Sequence, residues 1–240
     1  WLALYSGPIG GPGIRQFFMI EIDKNIERRP AKDFYPLGFL GMVLFIPMFV
    51  FRQVGIVDFW WWMSLNLVLL VTLALFRDPS FRKELVADRF LQPRRKMLLG
   101  VVSAVALYLV FLVGNLVVRT VFDFAGQDIQ QVYGFKGGAE AWRIAVLMLL
   151  FIGPGEELFW RGFIQGNLTS LFGKKSGFWL GVLIYTIIHI ATGNLILVLA
   201  ALTGGIFWGW LYLRYRSMVL NMVSHILWDI GIFLLLPIGS

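Results

Sequence analysis

The sequence contains no cysteine. That absence excludes a disulfide framework, a thiol nucleophile and any Cys-ligated zinc site. Charge is scarce as well: 15% of the 240 residues are Asp, Glu, Lys or Arg, whereas 58% are hydrophobic. A water-soluble domain carries roughly 25% charged and about 45–50% apolar residues, so this chain cannot cover itself with a hydrated surface. Histidine is nearly missing, with only His189 and His225. No internal repeat or low-complexity tract occurs. The N-terminus lacks a charged leader followed by an apolar core and cleavage site, so no signal peptide is expected. The first residue is Trp1 rather than Met, which leaves room for a preceding segment.

What the chain has in abundance is long apolar runs. They lie near 36–51, 55–76, 97–118, 141–152, 177–191, 195–213 and 218–237. None alternates like a strand, and in lipid only helices or closed barrels satisfy every backbone polar group. The expected fold is all-α: a polytopic transmembrane bundle of about seven helices, forming a single integral membrane domain over residues 1–240. The 26 glycines and 10 tryptophans fit, because membrane helices are rich in Gly and their interfaces in Trp. Two stretches mix apolar and charged residues: 81–90, with Phe81, Leu85 and Phe90, and 14–26, with Phe17, Phe18 and Ile20. Each suits either an interfacial amphipathic helix or an ordinary loop. Trp60, Trp61 and Trp62 suit an aromatic belt.

The net charge of +7 is explained by where the bases fall. With the runs threaded alternately, Arg52, Arg119, Lys136 and Arg143 lie on one side, and the other 17 of the 21 Lys and Arg residues lie on the opposite side. The positive-inside rule then places the N-terminus in the cytoplasm and the C-terminus across the membrane. The basic excess reads as topology, with the lipid bilayer as partner and anionic headgroups as a helper. No nucleic-acid partner is expected.

Against this background, the ionisable residues inside runs stand out, since each costs ~2.5–3.5 kcal/mol at a helix centre on insertion scales. Three stretches hold them. Glu156 and Glu157 follow Gly153-Pro154-Gly155, and Arg161 comes four residues after Glu157, on the same helix face. Tyr185 and His189 are also four apart, as are His225 and Asp229, with Asn221 extending that stripe. Glu156 is turned ~100° from Glu157 and is free to face elsewhere. Counted from the expected cytoplasmic helix ends at 1.5 Å per residue, Glu156, His189, His225 and Asp229 lie about 12–18 Å deep. Both histidines of the protein are thus spent inside the membrane.

A Glu beside a His can hold and deprotonate a water, and burial moves a carboxylate towards the range of a useful base. A second His with a polar partner can stabilise an oxyanion. Such a set hydrolyses an acyl or peptide bond. The same donors also suit Zn2+, with Glu156, His189 and His225 as ligands. Taken singly, Glu157 and Arg161 also suit a structural salt bridge at a helix end, and His189 equally suits an interhelical hydrogen bond.

Together, Glu-Glu-x-x-x-Arg at 156–161, aromatic-x-x-x-His at 185–189 and His-x-x-x-Asp at 225–229 resemble the three signature motifs of the CPBP intramembrane proteases. These are the CAAX protease and bacteriocin-processing (Abi) family, which includes the type II CAAX prenyl endopeptidases. The resemblance covers roughly residues 140–235, the expected catalytic core. It implies a glutamate-dependent endopeptidase acting on a membrane-associated peptide or protein, in a cavity open to the cytoplasm. Glu156 would be the general base acting with His189. His225 and Asp229 would stabilise the oxyanion, and Glu157, Arg161 and Tyr185 would support the site. The family is described both as metal-dependent and as metal-free, so Zn2+ remains open.

Two residues depart from the family pattern. Tyr185 stands where Phe is common, and its hydroxyl adds a hydrogen-bonding group. Asp229 stands where prenyl endopeptidases usually carry Asn. A charged Asp would repel an oxyanion, so it must be protonated, paired with His225 or used to orient it. This departure leans towards the broader prokaryotic branch and an inner-membrane location. The chain has no His-Glu-x-x-His, Gly-x-Gly-Asp or Gly-x-Ser-x-Gly-like motif, which sets aside the other intramembrane protease classes. The competing reading is a non-catalytic immunity factor or interaction scaffold of the same fold. A transporter fits less well, because inverted halves would place polar spans in both halves of the chain.

Overall fold

Apolar runs bounded by capping residues dictate the architecture. The structure is a computed structural model and describes residues 30–238. The stretch 14–26 lies outside the described residues. Helix α1 (Phe34–Phe51) leads through a short antiparallel hairpin, β1 (Gln53–Val54) and β2 (Val57–Asp58), into α2 (Phe59–Arg77). Then come α3 (Pro79–Phe90), α4 (Pro93–Val121) and α5 (Ala125–Gly134). The motif segment follows as α6 (Ala141–Leu147), a π-helical stretch (Met148–Ile152), α7 (Gly153–Glu156) and a second π-helical stretch (Glu157–Gln165). It continues into α8 (Gly166–His189), α9 (Leu195–Tyr215), α10 (Met218–Ile230) and a last π-helical stretch (Gly231–Leu235).

Side-chain caps set several starts. Asp58 accepts from the amides of Trp60 and Trp61, Asp78 from Phe81, Asn194 from Leu197 and Ser217 from Leu220. Such caps satisfy amides that have no partner inside the helix. Asp58 also ties β2 to α6 through Arg143, 2.6 Å away. Partial burial works against the Asp58 charge. The Arg143 guanidinium and the Trp61 and Trp60 amides outweigh it and hold the carboxyl below its ordinary range.

Five helical stretches, α1, α2, α4, α9 and the continuous Met218–Leu235, are long and apolar enough to cross a membrane. Their outer faces expose Phe39, Val113 and Leu116 at 61–68%, surface suited to lipid. The protein is an all-α polytopic membrane bundle. The fourth and fifth expected runs are helical too. The fourth is divided by the π-helical stretches. The fifth lies within α8, after a break at Gly173, where φ is +80°. That left-handed conformation favours glycine, and it lets residues 174–189 fold back along the motif segment, with Gly177 close to Thr169 and Gly181 close to Gln165.

Two sequence expectations change. Trp60 is not a belt residue: it is 3% exposed and its indole N–H donates to the Phe135 carbonyl at 3.0 Å. Residues 81–90 do form a helix, within α3, but Phe81 is fully buried against Phe163 rather than facing lipid.

The motif segment lies at the centre, against α2, α8, α9 and α10. Two glycines permit that approach. A Cβ on Gly155 would come within 2.8 Å of Leu67 on α2, and one on Gly153 within 2.6 Å of Ile226 on α10. Gly155→Ala is therefore expected to lower stability by about 1–3 kcal/mol through overpacking, read as a fall in the thermal unfolding midpoint.

Candidate active site

Glu156 ends α7 and Glu157 opens the following π-helical stretch. Wide π turns inside α-helices recur at functional sites. Here residues 159–165 are all buried, on every side of the helix. Glu157 is 0% exposed and is met from three directions, by an ion pair and two hydrogen bonds. Arg161 Nη1 lies 3.1 Å from Oε1, His225 Nδ1 donates to Oε1 at 2.7 Å, and Asn221 Nδ2 donates to Oε2 at 2.9 Å. Arg161 also reaches the Gly204 carbonyl at 3.5 Å and packs its guanidinium over the Tyr185 and Trp208 rings.

Glu156 does not face elsewhere. It lies on the other side of the same imidazole, with Oε2 4.0 Å from His225 Nε2. Its two oxygens accept from different donors, Trp160 Nε1 to Oε1 at 3.3 Å and the Tyr185 hydroxyl to Oε2 at 2.8 Å. The two adjacent carboxylates thus straddle His225. Trp208 stacks on the His225 ring at 3.7 Å and donates to Ser224, which fixes the imidazole plane. Asp229 Oδ1 is 3.6 Å from His225 Nε2. The short partner of His225 is therefore Glu157, not Asp229. Nε2 closes no hydrogen bond with either neighbouring carboxylate, so it can donate to or accept from a bound group.

His189 joins through Tyr185. Its Nδ1 donates to the Tyr185 carbonyl at 2.7 Å, and its ring packs against Phe49 and Tyr185. A carbonyl only accepts, so Nδ1 carries hydrogen and Nε2 is the bare nitrogen of the neutral ring. Tyr185 is thus bonded to Glu156 by its hydroxyl and to His189 by its backbone. All seven motif side chains are buried. An apolar cleft bounded by α4, α5, α9 and α10 includes Trp228 and Thr203, but none of those seven residues.

Among the described residues, no three His, Asp or Glu side chains are arranged to hold one ion. Both Glu156 oxygens already accept hydrogen bonds, and Nδ1 of each histidine is engaged. The expected set of Glu156, His189 and His225 does not form a metal centre in this arrangement.

Three contributors fall outside the motifs read from the sequence. Trp160 lies four residues after Glu156, a spacing that foretold contact. Trp208 and Ser224 lay in apolar runs with no distinguishing signal.

A cluster of buried ionisable side chains inside a bundle of long apolar helices marks the chain as an integral membrane protein. The family model for type II CAAX prenyl endopeptidase Rce1-like proteins matches residues 138–231, the segment that holds all three motifs. That agrees with the resemblance carried by the motifs. No curated protein and no solved structure matches the chain.

Proposed function

We propose that the protein is an intramembrane endopeptidase whose reacting water is activated by Glu156 and His189. One observation carries this reading: Glu156 is held by two donors beside an imidazole that Glu157 orients from the opposite side. A purely structural ion pair would need only Glu157 and Arg161. Glu156 has no cationic side chain within hydrogen-bond reach, an arrangement that suits proton transfer better than bracing.

In this reading Glu156 takes a proton from water as the oxygen attacks the carbonyl carbon of the scissile bond. The bare Nε2 of His189 accepts the water's other hydrogen bond. When both nitrogens of His225 carry hydrogen, Nδ1–H is kept by Glu157 and Nε2–H points at the developing oxyanion. As the C–N bond breaks, Glu156 returns the proton to the departing amine. Asp229, 3.6 Å from Nε2, faces the charged ring without taking its N–H from the oxyanion. The positive-inside orientation supports an entrance on the cytoplasmic face, and substrate entry requires the buried site to open towards it.

The test is cleavage of membrane-associated peptides by the purified chain in lipid, with products identified by mass spectrometry. Matched substrates with and without a prenylated cysteine resolve the substrate class. Wild type should yield defined products and His189→Ala none, at equal thermal stability. Equal product from both would refute the assignment. Tyr185→Phe removes one of the two hydrogen bonds to Glu156, a charge-assisted bond worth ~1.5–3 kcal/mol. It is expected to lower kcat by roughly tenfold or more at little change in KM, measured with the same peptides.

A further inference from the structure

Helix α3 looks nearly neutral in sequence, with Arg82, Lys83 and Arg89 against Glu84 and Asp88. In space the two signs separate. Glu84, 7% exposed, accepts from Arg216 Nη2 at 2.7 Å and from the Tyr212 hydroxyl at 3.1 Å. Asp88, 5% exposed, accepts from buried Lys96 at 2.6 Å and from the Val219 amide at 2.8 Å. Asp78, just before the helix, binds the Phe81 amide and Asn167. Every acid on this element is consumed by the bundle beneath it.

What remains outside is cationic. Arg82, Lys83 and Arg89 are exposed, as is Arg94 in the first turn of α4. None of these four pairs with a carboxylate among the described residues. Residues 82, 83, 86, 89 and 90 fall on one side of a helix of 3.6 residues per turn. Two of them are apolar and exposed, Val86 at 55% and Phe90 at 68%, and the Arg89 guanidinium lies 5.0 Å from the Phe90 ring centroid. The helix joins the end of α2 to the start of α4, both long enough to cross a membrane. Its place is therefore the membrane surface.

We infer that the outward face of α3 binds anionic phospholipid headgroups of the adjacent leaflet, with Arg82, Lys83 and Arg89 on the phosphates and Val86 and Phe90 among the upper acyl carbons. Long basic side chains reach headgroups while their stems stay on apolar surface. Near an anionic surface each adds roughly a fivefold preference, and salt weakens the effect. The inference does not depend on the site being catalytic.

The experiment uses the full chain in membranes of equal phosphatidylglycerol and phosphatidylcholine, extracted gently, with the retained lipids counted by mass spectrometry. Wild type should retain phosphatidylglycerol over phosphatidylcholine by roughly tenfold or more, and high salt should reduce that ratio. Arg82→Gln/Lys83→Gln/Arg89→Gln should bring the ratio near that of the mixture, and Lys83→Gln alone should lie between. Arg119→Gln, at a distant exposed base, should behave as wild type. An unchanged ratio in the triple variant, or none in wild type, overturns the inference. The unfolding midpoint in pure phosphatidylcholine should be the same for all variants, which separates lost lipid contacts from lost folding.

Discussion

Glu156→Gln is expected to give a folded protein that has lost peptide-bond hydrolysis, with kcat/KM down by about 10²–10⁴-fold. The substitution keeps shape and volume. An amide oxygen can still accept from Trp160, and the amide N–H can donate to the Tyr185 hydroxyl, which accepts as readily as it donates. The hydrogen bonds that fix this side chain, at 3.3 and 2.8 Å in wild type, therefore have replacements. What disappears is the capacity to take a proton from water, for which an amide has no substitute at neutral pH. Glu156→Ala should be as inactive and also leave both donors unpaired. The measurements are peptide cleavage and thermal unfolding on the same samples. Wild-type cleavage by Glu156→Gln would remove Glu156 from the chemistry. Loss of folding together with activity would mark it as a bracing residue.

The polar motifs were legible because the sequence spends so little charge. In a chain with two histidines and 15% charged residues, a Glu-Glu pair, a Tyr/His pair and a His/Asp pair inside apolar runs have few ordinary explanations. Spacing of four residues also predicts which pairs share a face, as Glu157 and Arg161 do at 3.1 Å. The meeting of elements was not legible. Helical geometry turns Glu156 away from Glu157 but says nothing of the helix carrying His225, which enters between them. The π-helical widening at 157–165 depends on burial against four neighbours, and its residues look like any apolar run. Trp208 is written like a lipid-facing or belt residue, yet it stacks on His225. In α3, the charges of 81–90 suited an interfacial helix or a loop equally, and only the bundle beneath shows that the acids are claimed and the bases left outside.

Glu157→Ala is expected to destabilise the protein by about 3–5 kcal/mol, the cost of leaving a buried charge without its partner. Arg161 is 2% exposed and would keep only a long contact to the Gly204 carbonyl and the Tyr185 and Trp208 ring faces. His225 and Asn221 would lose an acceptor at the same time. Glu157→Gln should cost less, since an amide oxygen still accepts, but Arg161 would remain uncompensated. Arg161→Met alone should also destabilise, because it strands the Glu157 carboxylate. The double variant Glu157→Gln/Arg161→Met removes both charges, so its loss should fall short of the sum of the singles by roughly 1–3 kcal/mol. Equilibrium unfolding of the four proteins in one detergent closes the cycle, and strict additivity would show that the pair does not act as a unit. Activity gives a second axis. Glu157→Gln should lower turnover through the released His225 ring while the Glu156 contacts persist. Glu156→Gln should lower turnover at unchanged stability. The two neighbouring carboxylates thus separate by what their loss disturbs: Glu157 holds the helices and the imidazole in place, and Glu156 is left free to exchange a proton.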